Sequence, residues 1–446
     1  MVPGFAELKS DTRLTKRVMA AIEIKIEKLI YGGEGLAHHD GAAVFVPFVL
    51  PEERVLAAQV EQKKKFIRAR VSEILEPSPQ RVPPRCPHFT ICGGCDYQHV
   101  PYEAQLTYKT EILRETLRRL GRIEWTGEIT AHPSPPWNYR NRAQWKVRPL
   151  DGAADKSKLG IGYFRSNSTA LCAVENCSIL SPLLLKTLLA LRDALAAGAL
   201  PRELREIEAF ADAEDAKLLL TATFAGFPSR IAEVAATIRR IAPELESLIL
   251  HDPSHDRMEL DGPGYITYHA GGVAYRVGHF SFFQVNRFLV DELVREVVDR
   301  EEGGKLALDL FAGVGLFSLP LARRFERVIA VESNPAAARD LETNSGGQSA
   351  IEARASDAER FLEKCKDKLD LVVLDPPRAG MEKTALARLA RIAPPRISYV
   401  SCEPPTLARD LAALRDAGYE ISGVHLFDLF PQTFHMEALV RLRRAK

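Results

Sequence analysis

Leu306-Ala307-Leu308-Asp309-Leu310-Phe311-Ala312-Gly313-Val314-Gly315 is an apolar run that turns through two glycines. A run this short, bounded by a turn, reads as a buried parallel strand leading into a helix. Residues 327–332 repeat the pattern and end in the carboxylate of Glu332, and Leu371-Val372-Val373-Leu374-Asp375-Pro376-Pro377-Arg378 ends in that of Asp375. In Tyr399-Val400-Ser401-Cys402-Glu403-Pro404-Pro405-Thr406 another strand runs into a proline-stiffened turn with a cysteine at its lip. Such strands predict an open, Rossmann-like α/β sheet, in which a ligand sits beyond the carboxyl ends. Cys402 taken alone is ambiguous, because a free cysteine is most often a small buried hydrophobe.

Glu332 follows Asp309 by 23 residues, near the spacing of about 20 at which an acid takes up ribose hydroxyls. A full G-x-G-x-x-G is missing, so no pyrophosphate cradle is evident and a nucleoside cofactor without one is expected. S-adenosylmethionine suits the pattern. The glycines admit its methionine part, Glu332 holds the ribose, and Asp375 lies toward the methyl group and the target base. The plainer alternative is an α/β domain whose strand-end acids cap helices.

At 446 residues the chain exceeds one core and predicts about three units. The formal charge of +1 hides an asymmetry: residues 1–150 hold 23 Lys+Arg against 17 Asp+Glu, and the remainder 37 against 42. The basic end is the expected polyanion binder. Residues 1–17 are polar and carry no apolar stretch of the signal-peptide kind. The apolar run 183–200 is broken by Lys186, Arg192 and Asp193, so no membrane span is expected. A cytoplasmic location follows as an expectation, with the seven cysteines as reduced ligands or reactive groups rather than disulfides.

From Ile22 to about Pro77 short period-two strands between glycine turns predict a small OB-like β-barrel. The run Lys63-Lys64-Lys65-Phe66-Ile67-Arg68-Ala69-Arg70 places positive charge on an expected strand, with Phe66 available to stack on a base. A proline-rich linker, 77–87, leads into Cys86, Cys92 and Cys95 in a glycine-bearing loop. That spacing is a metal signal, iron–sulfur or zinc. Cys177 is the expected fourth ligand and Cys172 a decoy, with His88 or His99 as weaker zinc options. A helix over 103–120 follows. Trp137-Asn138-Tyr139-Arg140-Asn141-Arg142-Ala143-Gln144-Trp145-Lys146 then reads either as a nucleic-acid surface or as a half-buried strand with snorkelling arginines. The expected organisation is a barrel over 18–77, a central α+β domain over 78–263 and a catalytic domain over 264–446.

Four motifs in this order resemble the RNA uracil-C5 methyltransferase family. They are Asp309-Leu310-Phe311-Ala312-Gly313-Val314-Gly315, Asp375-Pro376-Pro377-Arg378-Ala379-Gly380, Ser401-Cys402-Glu403-Pro404-Pro405-Thr406-Leu407-Ala408-Arg409-Asp410 and Phe430-Pro431-Gln432-Thr433-Phe434-His435-Met436-Glu437. The cysteine loop and barrel are similar to its iron–sulfur branch, which carries an N-terminal TRAM domain and is best known for methylating bacterial large-subunit ribosomal RNA. The resemblance implies Cys402 as nucleophile, Glu437 as base, and Cys86, Cys92, Cys95 and Cys177 as ligands of a 4Fe–4S cluster. It implies a cofactor site lined by Gln284, Phe311, Glu332, Asp357 and Asp375. RNA is the implied partner, ribosomal rather than transfer RNA, with the chain acting as a monomer and no membrane involved. Two positions leave the family pattern: Glu403 stands where an asparagine usually follows the nucleophile, and Leu316 where a polar asparagine is usual in the glycine loop.

The chemistry supports this reading independently. Carbon 5 of uracil is too poor a nucleophile to take a methyl group from a sulfonium, so a thiolate must first add to carbon 6 and generate an enolate. A target atom hidden in a base stack also requires the uridine to be flipped out or taken from a loop. A cytosine-C5 enzyme would share the cysteine adduct, but no cysteine stands beside Asp375-Pro376-Pro377. Radical chemistry wants Cys-x3-Cys-x2-Cys, whereas five residues separate Cys86 from Cys92. An inactive RNA-binding module is disfavoured by the presence of both Cys402 and Glu437.

Overall fold

The computed structural model describes residues 21–150 and 158–445. The reading of residues 1–17 and the first residues of the expected barrel lie outside that range. The chain divides into two compact units, one running to Pro83 and including His99–Pro101, the other comprising Pro84–Gln98 and everything from Tyr102.

The first unit is a six-stranded sheet: β1 (Ala21–Lys25), β2 (Lys28–Leu29), β3 (Glu34–His39), β4 (Ala42–Pro47), β5 (Arg54–Gln62) and β6 (Phe66–Glu76), in the order β1-β5-β6-β4-β3-β2. Period-two alternation turns Ile22 and Ile24 inward, where they join Val44, Val46, Val55 and Ile67 in one core. The strand expected over the lysine run begins later than read. Lys63, Lys64 and Lys65 form the exposed turn before β6, and only Arg68 and Arg70 alternate outward from the strand. Three consecutive lysines cannot alternate into a core without burying one of their charges. Phe66 is half-buried, its ring centroid 6.0 Å from that of Phe45.

In the second unit β7 (Ile129–His132) is followed by β8 (Arg142–Pro149), β9 (Leu159–Phe164), β10 (Leu171–Ala173), β11 (Leu204–Ala211), β12 (Leu218–Phe224), β13 (Leu245–Asp252) and β14 (Arg257–Asp261). The last seven form one sheet in the order β10-β9-β8-β11-β12-β13-β14. Helices Pro182–Ala196 and Ile231–Ile241 share its core through Leu184, Leu188, Leu191, Val234 and Ile238. Of the two readings of residues 137–146, the strand holds for Trp145, in β8, while Tyr139 packs just before the strand begins. Trp145 and Tyr139 are fully buried, the indole N–H donating to Tyr163 and the phenol to the Pro431 carbonyl at 2.9 Å. The chain then forms a hairpin of β15 (Tyr265–Ala270) and β16 (Val273–Gly278).

The α/β sheet read from the sequence comprises β17 (Gly304–Leu310), β18 (Phe325–Glu332), β19 (Ile351–Ala355), β20 (Leu371–Leu374), β21 (Arg396–Ser401), β22 (Tyr419–Phe427) and β23 (Glu437–Arg444). Its order is β19-β18-β17-β20-β21-β23-β22-β7, with β7, from far upstream, closing one edge. The first five of these strands run parallel, and β23 runs antiparallel to both β21 and β22. Buried on both faces, β20 carries no polar residue at all, as a central parallel strand should. The order reverses between β17 and β20, and such a switch point opens a crevice at the carboxyl ends.

The segment before β23 is pinned by the helix Tyr102–Gly121. Lys109 Nζ lies 2.6 Å from Asp428 Oδ1, both side chains fully buried, and also donates to the Phe430 carbonyl. Gln105 exchanges hydrogen bonds with the side chain and backbone of Gln432. These bonds set where β23 begins. Removing one partner of a buried pair leaves an uncompensated charge, at about 3–5 kcal/mol. Lys109→Ala is therefore expected to lower stability by that much in urea denaturation, and the double replacement Lys109→Met with Asp428→Leu by much less.

Candidate active site

Asp309 is fully buried in β17 and accepts from Ser318 Oγ at 2.5 Å, while its Oδ1 makes no hydrogen bond. Burial, together with the charges of Asp375 and Glu332, pushes this carboxyl up to about 7. Phe311, just past the strand, holds φ at +66°, a conformation that costs a bulky residue about 1–3 kcal/mol and clusters at functional sites. Gly313, also at positive φ, faces open space where a side chain would stand. Its N–H donates to Glu332 Oε2 at 2.8 Å, and the Asn334 N–H donates to Oε1 at 2.6 Å. Each Glu332 oxygen keeps a further lone pair for a ligand hydroxyl.

Asp375 caps the carboxyl end of β20, where burial and the neighbouring Glu332 raise its carboxyl to about 7. Its loop is tied to the elements that carry Cys402. Asp410, in helix Pro404–Asp416, accepts from the Met381 N–H at 2.8 Å and from the Tyr399 hydroxyl at 2.7 Å. Thr406 Oγ1 donates to the Arg378 carbonyl at 3.0 Å, and Arg409 donates to the carbonyls of Ala379 and Met381. The motif after the cysteine thus holds the motif after Asp375.

Cys402 leaves β21 at the same edge, and the register brings Glu437 beside it. Ser401 pairs with Ala438, so the first residue of antiparallel β23 lies next to the end of β21. Glu437 is 4% exposed and its Oε1 has no hydrogen-bond partner. Burial raises it well above the usual carboxylate range, Asp375 raises it further, and Arg378 opposes both. The Cys402 thiol is pushed up to about 12 by burial and then by the charges of Glu437 and Asp375, with Arg378 again opposing. Period-two alternation along residues 434–439 would turn Glu437 away from Met436 and Ala438, but it does not divide a pocket face from a core face, because Met436, Ala438 and Leu439 are all fully buried in a sheet covered on both sides.

The remaining expected cofactor residues sit differently. Gln284 is buried at 5% exposure in the loop after β16, two residues before Asn286, whose amide donates to the Leu429 carbonyl at 3.1 Å. Asp357 is exposed beyond β19 and caps helix Ala358–Lys364 by accepting from the Arg360 N–H at 2.7 Å. Two residues were quoted in motifs without a role: Arg378, the cation facing both Cys402 and Glu437, and Asp410, the tie. Nothing in sequence spacing says that either side chain folds back toward a neighbouring motif.

The cysteine loop brings thiols into mutual influence. Burial raises Cys95 to about 12 and Cys177 to about 11, with Cys86 adding to both. Cys92 is hydrogen-bonded to Cys172. The loop is fixed by the Gln98 amide oxygen accepting from the Cys86 N–H at 2.9 Å and by the Phe164 carbonyl accepting from that of Gly93 at 3.0 Å. Among the described residues no three of His, Cys, Asp and Glu close around a single metal ion. His88 accepts from the Glu175 N–H, and His99 is buried against the Val49 carbonyl.

With a thiol at about 12, the rate of Cys402 alkylation by iodoacetamide should rise about tenfold per pH unit from 7 to 10 without a plateau. Asp375, at about 7, is ionised over the upper part of that range. Asp375→Asn should therefore accelerate the reaction and Arg378→Gln slow it, both read by mass spectrometry of the Cys402 peptide.

The family model for tRNA (Uracil-5-)-methyltransferase matches residues 266–445. The 23S rRNA (uracil(1939)-C(5))-methyltransferase RlmD of Salmonella paratyphi A is 35% identical, the alignment covering 97% of this chain and 98% of the relative. The protein of the same description from Klebsiella pneumoniae is 33% identical over 97% of each chain. The solved tRNA (uracil-54, C5)-methyltransferase of Pyrococcus abyssi, in complex with S-adenosyl-L-homocysteine, superposes with a TM-score of 0.74 over 94% of this chain and all of that one, at 26% identity. No helix among the described residues is long and apolar enough to cross a membrane. By likeness along nearly its whole length, the chain belongs to the RNA uracil-C5 methyltransferase family.

Proposed function

We propose that this protein methylates carbon 5 of one uridine in 23S ribosomal RNA, using S-adenosylmethionine. The observation that carries the reading is the pairing of β21 with β23, which brings Cys402 and Glu437 to one edge beside Asp375 and Arg378. The ribosomal target rests on relatives of that description matching over nearly the full length of both chains.

S-adenosylmethionine supplies an electrophilic methyl group on a sulfonium; Glu332 and the Gly313 turn would hold its ribose and methionine parts, with Gln284, Phe311, Asp357 and Asp375 lining the site. The Cys402 sulfur adds to carbon 6 of the uracil and gives carbon 5 enolate character. Arg378 is the cation that favours the thiolate, against the carboxylates around it. After methylation the base retains a proton on carbon 5. Glu437 removes it as the carbon–sulfur bond breaks and Cys402 leaves as thiolate. A desolvated carboxylate with a free oxygen is suited to that task.

The first unit would serve as the TRAM-type RNA-binding barrel of a three-part chain (18–77, 78–263, 264–446), acting as a cytoplasmic monomer. Its exposed Lys63, Lys64, Lys65 and Arg70 would meet phosphate. Cys86, Cys92, Cys95 and Cys177 would hold a 4Fe–4S cluster. A cubane spreads its thiolates wider than a single ion does, and buried thiols that raise one another suit such a donor set. The cluster would tie the loop structurally. Anaerobically purified protein is then expected to be brown and to contain iron with acid-labile sulfide; stoichiometric zinc without sulfide would overturn the assignment.

A transfer-RNA target is the second reading, favoured by the Pyrococcus abyssi likeness; a cytosine-C5 reaction has no observation behind it. Labelled methyl transfer to 23S rRNA and tRNA transcripts, with mapping of the product, separates them. Cys402→Ala should neither methylate nor crosslink. Glu437→Gln should turn over about 10²–10⁴-fold more slowly and accumulate a covalent protein–RNA species carrying the labelled methyl. Normal turnover by Glu437→Gln without a trapped adduct would remove Glu437 from the base role.

A further inference from the structure

A second site lies at the other end of the catalytic sheet, where β21 starts and β23 finishes. A cavity of about 480 Å³ there is lined by Arg300, Glu301, Arg396, Ser422, Arg441 and Arg443. That volume falls within the range of small-ligand sites.

The arginines are arranged at a cost. Arg396 and Arg443 are directly opposed across β21 and β23, and like charges so placed destabilise a sheet. Period-two alternation puts Arg441 on the same face as Arg443. Four guanidiniums meet three carboxylates: Glu301 reaches Arg396 at 3.4 Å, Glu296 reaches Arg300 at 3.3 Å and Arg441 at 3.0 Å, and Glu420 stands across from Arg443. The buried Nε of Arg441 makes no hydrogen bond, its nearest carboxylate oxygen being Glu301 Oε1 at 3.6 Å. Arg443 is exposed and stands across from Glu420 of β22, with which it closes no ion pair.

Two backbone irregularities shape the cavity. The register of β22 against β23 shifts between Ile421 and Gly423, which inserts Ser422 as an extra residue. A π-helical turn, Arg295–Asp299, ends beside Arg300. Bulges re-aim side chains and π-turns recur at functional sites, since both interrupt an otherwise favourable ladder.

We propose that this cavity binds a phosphate-bearing anion. A phosphate between Arg396 and Arg443 would relieve their repulsion, and guanidinium forks match phosphate oxygens in pairs. The phosphate belongs either to the RNA backbone or to a free polyphosphate such as a nucleotide.

Isothermal titration of the full-length protein with inorganic tripolyphosphate tests the site, because Arg443→Gln alters an exposed side chain and so should fold normally. Saturable binding is expected, weakened at least tenfold in Arg443→Gln and in Arg300→Gln, and by less in Arg443→Lys, which keeps the charge but not the fork. Absence of saturable binding, or equal affinity in all four proteins, overturns the proposal. Salt-dependent RNA binding then identifies the source. Weaker RNA binding by Arg443→Gln, with a salt slope reduced by about one, assigns a backbone phosphate. Unchanged RNA binding beside lost tripolyphosphate binding assigns a free ligand. Both readings are independent of methyl transfer, so failure of the site and failure of the proposed reaction remain distinguishable.

Discussion

Asp309, Asp375 and Glu437 are carboxylates held out of water at one edge of one sheet, and each costs the fold free energy for as long as it is ionised. Two of them sit near 7, so the edge can gain or lose a proton at little cost around neutrality. Arg378 is the cation whose charge opposes the upward shift at both Glu437 and Cys402. Its position depends on the loop after Asp375, which in turn depends on Asp410, Thr406 and Arg409. The helix following the nucleophile therefore fixes the charge that the nucleophile feels. A substitution there acts on thiol reactivity without touching the thiol.

The same edge depends on elements distant in sequence. β23 begins at Glu437 because the segment before it is clamped by Lys109 and Gln105 from a helix more than 300 residues upstream. Without that clamp the strand could slip, and a one-residue slip in an antiparallel pair would turn Glu437 to the other face.

The strands β17, β18, β20 and β21 were legible because each is a short aliphatic run with a polar residue at or next to its end, the pattern of a strand buried on both faces. Asp309, Glu332 and Asp375 were legible for the same reason, since strand ends are where polar residues gather. Other features were not. β7 is only four residues long, and nothing local to Ile129–His132 announces that it closes a sheet built 170 residues later. The aromatic and basic alternation from Trp137 to Lys146 fits both a wet face and a packed one. Partners such as Tyr163 and Pro431 decide for packing of Trp145 and Tyr139, and they are distant in the chain. The lysine run shows the limit of reading charge on a strand. Alternation governs a strand only while every second residue can be buried, so three lysines mark its start rather than its middle.

The two departures from the family pattern have different weight. Leu316 is buried in the core with Phe317 and Leu319, and its carbonyl accepts from the Tyr275 hydroxyl at 2.9 Å. An apolar side chain there is held by packing. Glu403 is the heavier change. It stands at the N-cap of helix Pro404–Asp416, where an asparagine would cap well, yet its own side chain makes no capping bond. The helix start relies instead on prolines preset for the first turn. A helix N-terminus favours a neighbouring thiolate, whereas the Glu403 carboxylate adds to the charges that raise Cys402. The two effects oppose each other at the same sulfur. In this chain Arg378 must then supply more of the thiolate's stabilisation than it would beside an asparagine, and the loop that Asp410 holds bears correspondingly more of the site's reactivity.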